Sequence, residues 1–348
     1  MALTLQDWLS IDWPLIQAPM AGVQGSALAI AVGQAGGLGS LPCAMLTPDA
    51  MKQELSRIRE ALGGKPYNVN FFCHAQPAAD AQAERGWREA LAPYYAEFDV
   101  DPAQIGSGPG RLPFSHEAAD ALEDFKPAVV SFHFGLPTPD LLARVKAWGA
   151  KVLSSATTVE EACWLVAHGA DAVIAQGLEA GGHRGHFLTD DLSVQMGTMA
   201  LLPQIVAAVD VPVIAAGGIA DAEGVAAAMG MGAAGVQIGT AYMLCPESTT
   251  SAIHRAALQS ESARHTALTN LFTGRPARGI VNRLMRELGP ISAVAPAFPL
   301  ATGAIAPLRA AAEQRGLGDC SPSWAGQNVT GCRAVPAAEL TRELVRYL

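Results

Sequence analysis

Residues 211–243 read VPVIAAGGIADAEGVAAAMGMGAAGVQIGTAYM, and they hold one complete unit of a repeating plan. The runs VPVIAA and GVQI are almost continuously apolar, with none of the alternation of a half-exposed strand. That is the pattern of parallel strands buried on both faces. DAEGVAAAMGMGA between them has helical spacing, so the stretch predicts strand, helix, strand. The same unit repeats toward the N-terminus. PLIQAPM (14–20), GGLGSLPC (36–43), YNVNFFC (67–73), AVVSFHFG (128–135), KVLSSAT (151–157) and DAVIAQG (171–177) read as six further strands. PDLLARVKAWGA (139–150) and TVEEACWLVAHGA (158–170) read as intervening helices. Eight such units predict a (β/α)8 barrel. An open doubly wound sheet is the competing arrangement, but no GxGxxG opens a helix after the first strand.

Two regions break this rhythm. Residues 74–127 form a long Ala- and Pro-rich connection containing the turn-like GSGPGRLP (106–113), expected to place helices beside the site. Residues 244–315 follow the eighth strand and are expected to form a helical subdomain over the site. Residues 1–243 with 316–348 would then make up the barrel, the last stretch returning as a tail.

The composition bounds the function. In 348 residues, 50% hydrophobic content supplies a large core, and a net charge of −9 without basic clusters argues against nucleic acid as partner. The six cysteines have neither CxxC nor metal-ligand spacing, which points to reduced thiols and no metal. No basic leader precedes an apolar run and no apolar run is long enough to span a bilayer. The expectation is a cytoplasmic protein without a membrane partner.

In this fold the site lies at the C-terminal ends of the strands, and phosphate groups sit at the loops after strands seven and eight. Those loops carry Gly217 and Gly218 in AAGGIAD, and Gln237, Ile238, Gly239 and Thr240 in QIGT, where backbone N–H groups and a hydroxyl can converge on one anion. A sugar-phosphate isomerase would share this feature. The other strand ends carry QAPMAG (17–22), Asn70 and Gln176, neutral groups suited to the polar edge of a flat heteroaromatic ring. Nearly every strand end lacks a Lys or carboxylate, so a cofactor must supply the chemistry, and flavin is the best match. One monophosphate site and no dinucleotide fingerprint favour FMN over FAD.

QAPMAGV, NVNFF, SFHFGLP, GLEAGGHRG, AAGGIAD, QIGTAY and GRPARGIVNR, in order across residues 14–285, resemble the signature segments of the nitronate monooxygenase family, formerly the 2-nitropropane dioxygenases, with class I character. The resemblance implies an FMN-dependent barrel that oxidises alkyl nitronates with O2 to carbonyl compounds and nitrite or nitrate. It implies FMN contacts from Met20, Gly22, Asn70, Gln176, Gly181, Gly218 and Gln237 through Thr240, and matches His183 to the family's active-site histidine. The NAD(P)H-dependent quinone reductases of the family and related FMN-dependent enoyl-thioester reductases remain the alternative. Some bacterial members carry Tyr and Lys in the stretch equivalent to AFPLATGAIAPLR (297–309), where this chain has only Arg309 as a cation. That points to a more apolar pocket.

GLEAGGHRGH (177–186) crowds four glycines and two histidines after the sixth strand. Gly181 and Gly182 would let the backbone approach FMN, with His183 over the ring as hydrogen-bonding partner of an anionic nitronate, or as general base for a neutral nitroalkane. His133, near the end of the fourth strand, is the second catalytic candidate. His186 is expected to be structural, Arg184 to face solvent, and His74, His116, His168, His254 and His265 to be surface or helix residues.

Overall fold

The protein is described here from a computed structural model covering residues 4–78, 80–106 and 110–348. Ser107, Gly108 and Pro109 of the expected turn lie outside the described residues. All eight expected barrel strands form: Leu15–Gln17, Ser40–Pro42, Asn68–Phe72, Val129–His133, Lys151–Ala156, Ala172–Gln176, Val213–Ala216 and Gly235–Ile238. Every pairing among them is parallel, and the first strand pairs with the eighth. The ring closes just before the second strand, where Leu38 N–H donates to Leu15 O at 2.8 Å and Gln17 N–H to Leu38 O at 2.9 Å.

The apolar runs are continuous because both strand faces are covered. Outside the barrel, helices such as Pro48–Leu62 bury a single stripe, Met51, Leu55, Ile58 and Leu62, and Thr47 caps its N-terminus through the Ala50 N–H. Inside, Ile16, Leu38, Val129, Leu153, Ile174 and Ile214 form a cluster with Leu5, Leu9 and Ile11 at the N-terminus. A methyl on Gly235, at the start of the eighth strand, would lie 2.3 Å from Leu5 Cδ2, so this segment plugs the end of the barrel away from the site. Toward the other end the interior turns polar. Asn68 Nδ2 donates to Ser40 Oγ and Ser131 Oγ, both at 2.9 Å, and Asn70 Nδ2 donates to Ser131 Oγ at 2.9 Å. This network is the floor of the site.

Residues 244–315 differ from the expectation of helix alone. Helices Ala252–Leu258, Arg283–Leu288 and Ala301–Gln314 are present, but Thr266–Thr269 and Ala277–Ile280 pair antiparallel, and the second of them also pairs with Gly182–His183. The reason is local: TGRP places Gly and Pro where a helix would need regular hydrogen bonds, and the hairpin edge finds its partner in the His183 loop. The connection at 74–127 contributes helix Ala81–Glu97, which packs on Ala301–Gln314 through Trp87, Leu91, Ile305 and Leu308. Tyr95 Oη donates to Ala304 O at 2.8 Å across that contact. The tail, expected against the barrel, first crosses the top of it, with Ile280 N–H donating to Ser323 O at 2.8 Å, and then packs on the barrel through helix Ala337–Leu344, which buries Ala337, Leu340 and Leu344 in the core. No helix among the described residues is long and apolar enough to cross a membrane.

Candidate functional site

The strand C-termini surround a cleft with about 1430 Å³ of empty space out to its open mouth. Met20, Asn70, His133, Gln176, Gly181, Gly182, His183, Gly217, Gly218 and Gln237 through Thr240 all line it. Gly22 does not. Its φ of +84° serves the turn after the first strand, so its glycine signal is one of backbone conformation.

One end of the cleft is an anion cradle. Gly217 and Gly218 have φ of +120° and +74°, and a methyl on Gly217 would lie 3.0 Å from Thr198 Oγ1 and 3.1 Å from Ala180 N. Among the described residues the backbone N–H groups of Gly218, Gly239 and Thr240 make no protein hydrogen bond. All three residues are half-buried against the cleft, so these donors are free to meet an anion bound there. The tail straps this end: Gly326 N–H donates to Thr240 Oγ1 at 3.0 Å, Asn328 Nδ2 to Gly218 O at 3.1 Å, and Gln327 N–H to Glu179 O at 2.9 Å. Gly181 answers to the strap, since a methyl there would lie 2.5 Å from Gly326 N. Gly182 has open space around it and a φ of +72°, so backbone conformation is what it supplies.

The middle of the cleft is lined by amides. Gln237 Oε1 is buried without a partner, an acceptor that a ring N–H could meet. Gln176 is occupied by the loop it precedes. Its Nε2 donates to His183 O at 3.0 Å, and its Oε1 accepts from Gly185 N–H at 2.8 Å.

At the far end His183 lies in an aromatic box, with ring centroids 6.1 Å from Phe72, 6.0 Å from Phe134, 5.3 Å from Phe298 and 5.6 Å from Trp324. Its Nε2 is 2.9 Å from Thr273 Oγ1. Burial, followed by the positive charges of Arg111 and Arg275, holds its pKa well below the ordinary histidine value, so the imidazole is neutral at pH 7. His133 is also neutral, pulled down to about 3 chiefly by burial. Both of its nitrogens are engaged: Nε2 donates to His183 O at 3.1 Å, and Nδ1 accepts from Ser155 Oγ at 3.0 Å. It holds the His183 backbone.

Several site residues were not visible in the sequence. Arg184, expected to face solvent, is fully buried; its guanidinium donates to Gln195 Oε1 at 2.7 Å, Gly177 O at 2.7 Å and Gln176 O at 2.8 Å. These bonds tie the glycine loop to the sixth strand. His74, expected to be a surface or helix residue, is neither, being buried in the connection after the third strand, and His254, which does lie on helix Ala252–Leu258, is buried too. His186, expected to be structural, is buried, with its Nε2 3.5 Å from Asp190 Oδ1. Arg309 pairs with Glu313 at 2.7 Å outside the cleft, and among the described residues the Arg or Lys that lines the pocket is Arg111. Arg111 donates to Thr302 Oγ1 at 3.3 Å and makes no ion pair with a described residue. Its neighbourhood in sequence, RLPF after a glycine-rich turn, gave no sign that it folds back over the site.

A closed (β/α)8 barrel, with a glycine cradle and a neutral imidazole facing one cleft at its strand C-termini, defines the class as a barrel enzyme. The family model described as "Nitronate monooxygenase" matches residues 3–346, and this chain belongs to that family. The nitronate monooxygenase of Pseudomonas aeruginosa is 44% identical over 98% of this chain and 97% of its own length. A nitroalkane oxidase of known structure from Streptomyces ansochromogenes superposes with a TM-score of 0.89 at 40% identity, covering 98% of this chain and 96% of that one. FabK from Thermotoga maritima is similar with a TM-score of 0.71 at 25% identity, over 99% of this chain and 96% of that one.

Proposed function

We propose that the protein oxidises alkyl nitronates with molecular oxygen to carbonyl compounds and nitrite or nitrate, with FMN as resident cofactor. The observation that carries this reading is the pairing, within one cleft, of an anion cradle built from unbonded N–H groups with a neutral imidazole in an aromatic box. The residues fit FMN. Gly218, Gly239 and Thr240 would take its phosphate, and the orphaned Gln237 Oε1, with Asn70 and Met20, would meet its ring. When bound, FMN supplies the electron acceptor that no side chain of this protein provides.

The remaining steps belong to the chain. The Arg111 guanidinium attracts an anionic nitronate and lowers the cost of holding it in a site walled by Phe72, Phe134 and Phe298. The box excludes water around the reacting carbon. His183 hydrogen-bonds the nitronate through the proton that Nδ1 carries once it has acted as a base, and for a neutral nitroalkane it takes that proton from the α-carbon, leaving the electron pair delocalised into the nitro group. The likeness to the Streptomyces nitroalkane oxidase supports the second role.

The test is aerobic turnover of the purified, FMN-reconstituted protein with an alkyl nitronate, following O2 uptake, carbonyl product and nitrite plus nitrate together. Consumption of O2 matched by carbonyl and nitrogen oxyanion is the expected result. Protein that binds no FMN, or that binds it and leaves the nitronate untouched, would remove this reading.

A further inference from the structure

We propose that Thr273 is the positioning residue that fixes His183 as its Nε2–H tautomer and so leaves Nδ1 as the basic nitrogen of the site, an inference that rests on the reading of His183 as proton acceptor. Thr273 Oγ1 stands between two groups, His183 Nε2 at 2.9 Å and the Arg275 carbonyl at 3.3 Å. A hydroxyl has one proton to give. The Arg275 carbonyl can only accept, and Thr273 is its hydrogen-bonding partner among the described residues, so directing the hydroxyl proton elsewhere would leave this half-buried carbonyl without a protein partner. With the proton directed to Arg275, Oγ1 presents its lone pairs to the imidazole, and Nε2 must be the donor. Nδ1 then carries a lone pair, and it has no partner among the described residues.

The hydroxyl is held in place by its surroundings. Thr273 is buried, and Gly274 beside it has a φ of +89° and packs so tightly that a methyl would lie 2.1 Å from Pro296 O. Phe272 O, on the other side, accepts from Thr302 Oγ1 at 3.2 Å. His183 is fixed from the opposite side too, because its carbonyl accepts from both Gln176 and His133. The chain of donors runs the same way whether His183 is neutral or protonated, since Nε2 donates in both forms. Proton uptake at Nδ1 from the substrate carbon therefore needs no rearrangement at Thr273, which is the condition for a preorganised base.

Two measurements on the FMN-loaded protein test this. The first is 15N NMR of histidine-labelled wild type, with the His183 signals assigned by their loss in His183→Asn. An unprotonated Nδ1 and a protonated Nε2 are expected, and a protonated Nδ1 in the neutral ring would overturn the proposal. The second compares Thr273→Val and Thr273→Ser on a neutral nitroalkane and on its preformed nitronate. Thr273→Val should lower kcat/KM for the nitroalkane by about tenfold or more while changing nitronate oxidation by less than about threefold, and Thr273→Ser should restore the nitroalkane rate. Equal losses on both substrates, or none on either, would contradict it. Failure of wild type to oxidise any nitronate would instead remove the proposed function, and the NMR result would still decide the role of Thr273.

Discussion

His183 and Arg184 are adjacent, yet their roles are opposite. The first faces a cleft and the second is sealed in protein. His183→Asn keeps a hydrogen-bonding side chain but cannot take up a proton. It should retain FMN and lose about 10²-fold in kcat/KM on neutral nitroalkanes, the size expected for one oriented catalytic group. Wild-type rates on both nitroalkane and nitronate would make the imidazole structural. Arg184→Lys keeps the charge but cannot serve at once the three acceptors that the planar fork reaches, and although Gly177 O keeps its bond from Ala180 N–H, Gln195 Oε1 or Gln176 O loses its guanidinium donor. We expect a loss of stability of about 1–3 kcal/mol by denaturant titration, the cost of one acceptor left unsatisfied. An unchanged midpoint would mean that the loop does not depend on this guanidinium. At this scale the sequence was informative where a residue type is unusual for its place, as with His183 and the paired glycines. It was silent on Arg111 and Thr273, whose roles come from chain folding back from 74–127 and 244–315.

Element by element, the eight barrel strands were legible because each is buried on both faces and so writes an unbroken apolar run. The hairpin Thr266–Thr269 and Ala277–Ile280 was not, because its strands are short and mixed in polarity and depend on a partner about a hundred residues earlier. The tail strap was illegible for the same reason. It is held by backbone N–H groups and one asparagine, which leave no periodic pattern. Its tight seat on Gly181 makes that glycine the most sensitive point: Gly181→Ala must displace backbone, since the methyl would lie 2.5 Å from Gly326 N and 2.6 Å from Ala325 C. The expected outcome is weaker FMN retention, measured as flavin lost on dialysis or a faster rate of flavin fluorescence recovery on dilution. Gly182→Ala, with open space for its methyl, should release FMN less readily than Gly181→Ala, although its φ of +72° adds strain. The reverse order would show that the strap does not secure the cradle.

Across the whole molecule, five histidines are held below the usual value near 6.5 chiefly by burial: His74, His133 at about 3, His183, His186 at about 4 and His254 at about 4. Above pH 6.5 both folded and unfolded forms carry them neutral, and they leave stability unchanged. As pH falls through 6.5 the unfolded chain takes up protons that the folded chain refuses, so stability falls, until each folded-state value is passed. Each such histidine contributes a slope of up to about 1.4 kcal/mol per pH unit in that window. Carboxylates are largely silent down to about pH 5. We therefore expect Tm to drop between pH 7 and pH 5, and a flat Tm over that range would contradict the buried neutral histidines. The same depressed value keeps His183 in its base form well below pH 6.5, so nitroalkane kcat/KM should hold into mildly acidic solution and fall only at lower pH. A fall centred on pH 6.5 would speak against the buried imidazole. The central claim, that this cleft passes electrons from a nitronate to bound FMN, is tested most directly by anaerobic mixing of the FMN-loaded protein with an alkyl nitronate and, separately, with NADH or NADPH. Rapid bleaching of the flavin absorbance by the nitronate, with little or none by the pyridine nucleotides, is the predicted result; bleaching by a pyridine nucleotide and none by the nitronate would contradict it and make the protein a reductase.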